Sequence, residues 1–110
     1  MPARSVPQQG LYLFAYQVTI CNEGRTAVQL LARRWTITDA TGHSEAVQGP
    51  GVVGEQPRLA PGETFNYTSF CPLKTQVGSM QGAYVMRTAD GERFDALVAP
   101  FTLALPHALN

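Results

Sequence analysis

The stretch that decides the fold is Gly49-Pro-Gly-Val-Val-Gly-Glu-Gln-Pro-Arg-Leu-Ala-Pro-Gly-Glu-Thr-Phe-Asn-Tyr-Thr-Ser-Phe-Cys-Pro-Leu73, in which dense turn residues give way to a strand. Its glycines and prolines predict an inter-strand loop. Beyond Pro61-Gly62, large and small residues alternate with period two, which is typical of a half-buried strand. Because proline cannot continue a central ladder, we expect this strand to end at Cys71-Pro72.

Short alternating runs flank this stretch on both sides. Leu11 to Cys21 has large apolar residues at its even positions, and the apolar parity of Ala27 to Thr38 slips near Leu30-Leu31, which predicts a β-bulge. His43 to Gln48 is polar enough for a sheet edge, and Asp90-Gly91 is a hairpin signal. These runs predict an all-β fold, an antiparallel sandwich of the immunoglobulin or fibronectin type III kind with about seven short strands.

The length of 110 residues fits one domain with a single core. We expect residues 1–10 to form a flexible N-terminal arm, residues 11–106 the sandwich domain, and residues 107–110 a C-terminal tail. The core should include one large aromatic residue from the apolar parity of each of five strands: Phe14, Trp35, Phe65, Tyr84 and Phe94.

The charge pattern excludes several classes of partner. Eight Lys plus Arg balance eight Asp plus Glu, and the longest basic run is Arg33-Arg34, so we expect no nucleic-acid binding. The apolar run from Leu11 to Cys21 is too short and too polar to cross a bilayer, so we expect no membrane insertion. Two cysteines, Cys21 and Cys71, are too few for a disulfide scaffold; we expect free thiols and a cytoplasmic protein.

Three glycines, Gly49, Gly51 and Gly54, have the G-x-G-x-x-G spacing of dinucleotide-binding loops. That motif works when a helix N-terminus follows and attracts the phosphate. Here Pro57 prevents such a helix, the loop contains no Lys or Arg, and Glu55 adds a negative charge. We therefore expect a structural or partner-binding loop and no cofactor.

Four residues of this loop are the candidates for contact with a partner protein: Val52, Val53, Glu55 and Gln56. The apolar Val52-Val53 pair has two interpretations, a plug folded back on the end of the sandwich or a contact that faces a partner.

His43 and Glu45 are the candidate metal ligands, because they lie two apart on one face of the expected edge strand. Two ligands fall short of the three or four donors of a stable site, and solvated edge residues have the same pattern. Ser69 and Cys71 are conceivable nucleophiles, with His43 or His107 as the base, but neither lies in a known nucleophile motif. We therefore expect no enzyme.

The sequence resembles the bacterial ApaG proteins over nearly all of Phe14 to Pro106. The resemblance rests on these segments: Arg34-Trp35-x-Ile37-x-Asp39-x-x-Gly42, Val47-Gln48-Gly49-x-Gly51-Val52-Val53-Gly54-Glu55-Gln56-Pro57, Leu59-Ala60-Pro61-Gly62-Glu63, Tyr67-Thr68-Ser69-x-Cys71-Pro72-Leu73 and Met80-x-Gly82-x-Tyr84-x-Met86. It implies a fibronectin type III-like sandwich and a protein-binding role, as in the similar modules of a eukaryotic F-box protein and a polymerase-delta-interacting protein. The family name is also tied to cobalt tolerance and magnesium efflux.

The expected function is therefore a non-enzymatic binding module for an unknown protein partner, as a monomer or weak homodimer. The alternative is a small-ligand or divalent-cation-linked role. One departure from the family concerns the N-terminus, where members have a strand before the equivalent of Leu11 and this chain has only Pro2 to Pro7. Two explanations stay open: the numbering starts late in the reading frame, or this member lacks that strand.

Overall fold

The computed structural model describes residues 4–6 and 10–105, with side chains from residue 10 onward. These residues form eight β-strands: β1 (Arg4–Val6), β2 (Leu11–Cys21), β3 (Val28–Asp39), β4 (Ser44–Pro50), β5 (Arg58–Leu59), β6 (Thr64–Leu73), β7 (Val77–Thr88) and β8 (Arg93–Ala104). The all-β prediction is confirmed, and β5 is only two residues long. Within these ranges no helix is long and apolar enough to span a bilayer.

The strands form two antiparallel sheets of unequal width. The narrow sheet has three strands in the order β1-β2-β6, whereas the wide sheet has the order β4-β3-β7-β8 with β5 beside β3. Because the narrow sheet ends at β6, the edge strand β4 extends beyond it. This overhang positions the candidate site described below.

Aromatic rings fill the core between the sheets. Trp35 is 3% exposed, and its ring lies edge-to-face with Tyr16, Tyr84 and Phe101 at centroid distances of 6.1, 5.6 and 6.0 Å. Its indole Nε1 has no hydrogen-bond acceptor among the described residues. The surrounding edge-to-face contacts offset part of that loss.

The predicted core is mostly confirmed. Phe14, Trp35 and Tyr84 are buried, and Phe65 packs against the core from a half-buried position. Phe94 was placed wrongly, since it is 43% exposed. Phe94 lies near the start of β8, which is an edge strand of the wide sheet. Its position in the alternation matches that of the core residues, but a side chain at the edge of a sheet has fewer neighbours to bury it.

The predicted bulge is confirmed, because the β3–β7 register shifts between Leu30 and Ala32. The Asp90-Gly91 hairpin is also present, with the Gly91 N–H donating to the Thr88 carbonyl at 2.9 Å. The expected end of β6 at Cys71-Pro72 is wrong, since the strand continues to Leu73. Proline is tolerated there because β6 is an edge strand.

The N-terminal segment differs from the expected arm. The strand β1 pairs with residues 11–13 of β2, in the register Arg4 to Leu13 and Val6 to Leu11, so a short strand lies within the expected arm. The three residues of β1 are too few to show a period-two pattern in the sequence. They form a strand because they pair with the side of β2 that faces away from β6, which the local sequence does not show. The expected tail at 107–110 lies outside the described residues.

The two cysteines are free thiols, as predicted. Cys21 pairs with Thr64 and Cys71 with Phe14, so they lie at opposite ends of the β2–β6 ladder. Seven residues along a strand separate them by about 23 Å, far beyond the reach of a disulfide.

Candidate functional site

The glycine loop, residues 49–56, docks on the bulge of β3. The Leu31 carbonyl accepts a hydrogen bond from the Gly51 N–H at 2.8 Å and another from Gln56 Nε2 at 2.9 Å. A bulge disrupts the regular ladder locally, so this carbonyl is available to the loop. The bulge and the glycine loop give separate signals in the sequence, but in the structure the bulge supplies the hydrogen-bond acceptor that holds the loop.

The tip of the loop is a two-residue hairpin turn. The Val52 N–H donates to the Glu55 carbonyl at 2.8 Å and the Glu55 N–H to the Val52 carbonyl at 2.9 Å. Both central residues have positive φ, 42° at Val53 and 81° at Gly54, as a type I′ turn requires. A β-branched residue such as Val53 rarely adopts this conformation, so the surrounding contacts hold it there.

Arg33 supports the loop from behind. Its Nη1 donates to the carbonyls of Pro50 and Gly51 at 3.0 and 2.9 Å. The three glycines therefore do not form an open cradle, because the N–H groups of Gly51, Val52 and Glu55 already have acceptors within the protein. Among the described residues no helix follows the loop. A phosphate would find these three N–H groups occupied and would meet no helix dipole from the described residues.

The four candidate contact residues separate into two groups. Val52 is fully buried in the core, so the prediction that it contacts a partner is wrong. Its side chain packs back onto the sandwich, as the first of the two interpretations predicted. Gln56 donates to Leu31 and serves the docking of the loop. Val53, 53% exposed, and Glu55 remain at the surface. Their contact with a partner stays a prediction.

An apolar groove lies where β4 extends beyond β6. It encloses about 240 Å³ and is lined on its apolar side by Leu11, Ile37, Val47, Pro72 and Leu73. Trp35 and Val47 are paired neighbours on β3 and β4, so they project to the same inner face. Trp35 is 3% exposed and Val47 is 39% exposed. The difference arises because the narrow sheet covers β3 but not β4.

Charged residues form the rim of this groove: Asp39, His43, Glu45 and Lys74. His43 Nε2 lies 3.4 Å from Glu45 Oε1, so the two candidate metal ligands do come together. Asp39 turns its carboxylate to its own loop. It accepts from the Thr41 hydroxyl at 2.6 Å and from the N–H groups of Thr41 and His43, and the hydroxyl bond is the main reason that its pKa is lowered.

The His43–Glu45 pair is the part of this rim that bears on metal binding. The described part of the chain contains no cluster of three or more His, Cys, Asp or Glu side chains that converge on one point. The His43–Glu45 pair supplies two donors, about half of what a stable site uses. Both side chains are largely exposed, so water competes for them.

The two conceivable nucleophiles, Cys71 and Ser69, lie in different surroundings. Cys71 is 1% exposed, and burial raises the pKa of its thiol to about 11, so the reactive thiolate is scarce at neutral pH. Ser69 lies opposite Tyr16 in the β2–β6 ladder, and burial raises the pKa of that tyrosine. His107 lies outside the described residues. Sequence reasoning missed the groove itself, because its walls depend on which strand of one sheet faces which strand of the other.

Comparison with known proteins gives a consistent result. Residues 2–88 match the sequence model of the ApaG domain. The chain is 54% identical to the protein ApaG of Azotobacter vinelandii over 110 residues, which is 100% of this chain and 87% of that protein. It is 56% identical to the protein ApaG of Anaeromyxobacter dehalogenans over 109 residues, which is 99% of this chain and 86% of that protein.

Two solved structures resemble the fold closely. One is the crystal structure of a protein from Bordetella pertussis, titled a putative ApaA protein, with a TM-score of 0.90 and 46% identity over 96% of this chain and 88% of that one. The other, an X-ray structure from a structural-genomics consortium, has a TM-score of 0.95 and 43% identity over 99% of this chain and 84% of that one. The chain belongs to the ApaG family.

Proposed function

We propose that this chain is a non-enzymatic binding module that recognises a segment of another protein at the groove between β4 and β6. The observation that carries the proposal is the exposure of Val47 on an inner sheet face. An apolar groove with a charged rim is the usual form of a site that takes an apolar anchor from a partner. The burial of Cys71 and the raised pKa of its thiol support a binding role over a catalytic one.

The proposed setting is the cytoplasm, with the protein as a monomer or weak homodimer. Two free thiols, one of them exposed at Cys21, suit a reducing compartment. The balanced charge of the sequence supports a protein partner over nucleic acid.

The experiment selects peptides from a random phage-displayed library against the folded chain and measures their affinity for two charged variants. Val47→Asp places a charge in the groove, whereas the control Leu97→Asp alters a side chain that is 83% exposed on β8, outside the groove. We expect Val47→Asp to weaken binding by about tenfold or more and Leu97→Asp by less than about twofold. Equal affinities for the two variants, with both folded, would overturn the groove as the site.

A divalent-cation-linked role is the second candidate function. It is favoured by the approach of His43 to Glu45 at the same rim. Calorimetric titration with CoCl₂ and with MgCl₂ tests it, with Glu45→Gln as the variant that removes one donor. Saturable binding at micromolar concentration that Glu45→Gln weakens by about tenfold would promote this candidate over the binding module.

A further inference from the structure

The open edge of β6 is the feature that the proposed function leaves unexplained. Among the described residues, β6 pairs with β2 on one side and with no strand on the other. Its ten residues, Thr64–Leu73, contain no charged side chain. Exposed strand edges of this length template pairing with other chains unless charges, prolines or bulges protect them.

The edges of the wide sheet have such protection. The edge strand β8 contains Arg93, Asp95 and Pro100, and β4 contains Glu45 and Pro50. On β6 the only such residue is Pro72, near its end. Both edge strands of the wide sheet, β4 and β8, therefore contain charged residues and prolines that disfavour pairing with another chain. The edge strand β6, beside the groove, has only Pro72.

The direction of the β6 backbone groups follows from the register. The Asn22 N–H donates to the Glu63 carbonyl at 3.0 Å, and these residues stand opposite each other in the register that pairs Cys21 with Thr64. In an antiparallel pair, hydrogen-bonded and non-hydrogen-bonded positions alternate. The even-numbered residues of β6 therefore turn their backbone groups away from β2. Pro72 is one of them, so its missing N–H leaves the β2–β6 ladder intact.

We propose that β6 accepts an extended segment of a partner protein as a fourth strand of the narrow sheet, with alternate apolar side chains of that segment entering the groove. The N–H groups of Thr64, Asn66, Thr68 and Phe70 face the open edge and would pair with the incoming backbone. The added strand would lie opposite β4 and cover Val47. Backbone pairing gives affinity and the groove gives sequence preference, as in other cases of strand addition. This inference rests on the proposed function and specifies the form of its partner.

The overhang of β4 argues for a single strand over a second copy of this chain. If two copies paired edge to edge through β6, each would bring its own β4 to the place opposite the incoming strand. Each β4 would then overlap the β3 of the other copy, because the wide sheet has one strand more than the narrow sheet on this side. A lone segment has no such conflict.

The test uses a proline variant, Thr68→Pro, with Thr68→Ala as its matched control. Thr68→Pro removes one N–H that faces the open edge, and Pro72 shows that this parity of β6 accepts proline. Thr68→Ala removes the side chain and keeps that N–H. The probes are peptides about ten residues long, selected from a random phage-displayed library against the whole chain. Affinity and amide hydrogen exchange are measured with the same peptides, and thermal unfolding confirms that both variants fold.

We expect Thr68→Pro to weaken peptide binding by about tenfold or more and Thr68→Ala by less than about twofold. The peptide should slow exchange at the amides of Asn66, Thr68 and Phe70. Equal binding by the two folded variants would overturn strand addition, and the Val47→Asp result would still decide the groove separately. Slow exchange at these amides in the free monomer, which would mean that another segment of this chain occupies the edge, would overturn it too. Dimerisation that Thr68→Pro abolishes would identify a second copy as the occupant and likewise contradict the proposal.

Discussion

The two ends of the gap between β4 and β6 are built in opposite ways. At one end the glycine loop turns inward, and Val52 is fully buried among core residues. At the other end Val47 is only partly covered by the described residues and is 39% exposed on an inner face. Both valines belong to the same continuous segment of chain, five residues apart.

The two ends differ in what they offer to a ligand. At the loop end the N–H groups of Gly51, Val52 and Glu55 already have acceptors within the protein, so a ligand that bound them would have to displace internal hydrogen bonds. The groove end has exposed apolar surface, which gains free energy when a partner covers it. The glycine triplet, the most conspicuous motif of the sequence, therefore belongs to a loop docked on β3, whereas residues that no motif marks line the proposed binding site.

Substitution of Gly51 should show how tightly the loop end is built. A Cβ at this position would lie 2.3 Å from the Glu55 carbonyl oxygen, and its φ of 59° already disfavours other residues. We expect Gly51→Ala to lower the free energy of unfolding by about 3 kcal/mol. The matched control is Gly54→Ala, which has positive φ but no atom within 4 Å of the new Cβ. It should lose about 1 kcal/mol in the same urea titration.

An equal loss for the two glycine variants would contradict the account of the loop. It would mean that backbone conformation alone, and not the close approach of Glu55, constrains Gly51.

The two valines provide a direct comparison of the ends. We expect Val52→Ala to lower the free energy of unfolding by about 2 kcal/mol, because it leaves a cavity in the core. Val47→Ala should change it by less than about 0.5 kcal/mol, because the side chain is partly in water in both states. Thermal or urea unfolding of the two variants measures the difference. A Val47→Ala loss as large as that of Val52→Ala would show that the groove is closed in solution.

The dependence of stability on alkaline pH tests the burial of the Cys71 thiol on β6. Burial raises the pKa of Cys71 to about 11 from its ordinary value of 9.0. Between these values the unfolded state has lost a proton that the folded state retains, so stability falls as the pH rises through this window. We expect Cys71 to contribute about 1 to 2 kcal/mol to that loss.

Replacement of the cysteines isolates this contribution. Cys71→Ala should remove part of the decline, whereas Cys21→Ala, at an exposed site, should leave it unchanged. Buried tyrosines add to the decline at higher pH, since burial raises the pKa of Tyr67 to about 12. A decline that is the same in both cysteine variants would contradict the burial of Cys71.

Local patterns predicted the parts of the fold that depend on neighbours in sequence. The parity slip at Leu30-Leu31 and the Asp90-Gly91 hairpin are both present, because each is set by a few residues and their backbone preferences. The exposure of Phe94 and the passage of β6 through Pro72 were missed. Both depend on which strands are edges, and strand order is a long-range property.

The candidate site was predicted less well for the same reason. The candidate metal ligands His43 and Glu45 do lie together at the rim of the groove, and their binding of a metal ion stays a prediction. Val47, Leu73 and Lys74 were not singled out, because no spacing in the sequence links β4 to the end of β6. The groove exists because β4 of the wide sheet extends beyond β6, the last strand of the narrow sheet.

An amide chemical-shift titration of the labelled chain tests most directly which end binds. The ligands are a selected peptide, magnesium ATP and CoCl₂, each raised to about 1 mM, the range in which weak binding becomes visible. We predict that the peptide shifts the amides of Val47, Leu73 and Lys74, and that magnesium ATP leaves those of Gly51, Val52 and Glu55 unmoved. Saturable shifts of the loop amides with magnesium ATP, and none at the groove with the peptide, would contradict the account.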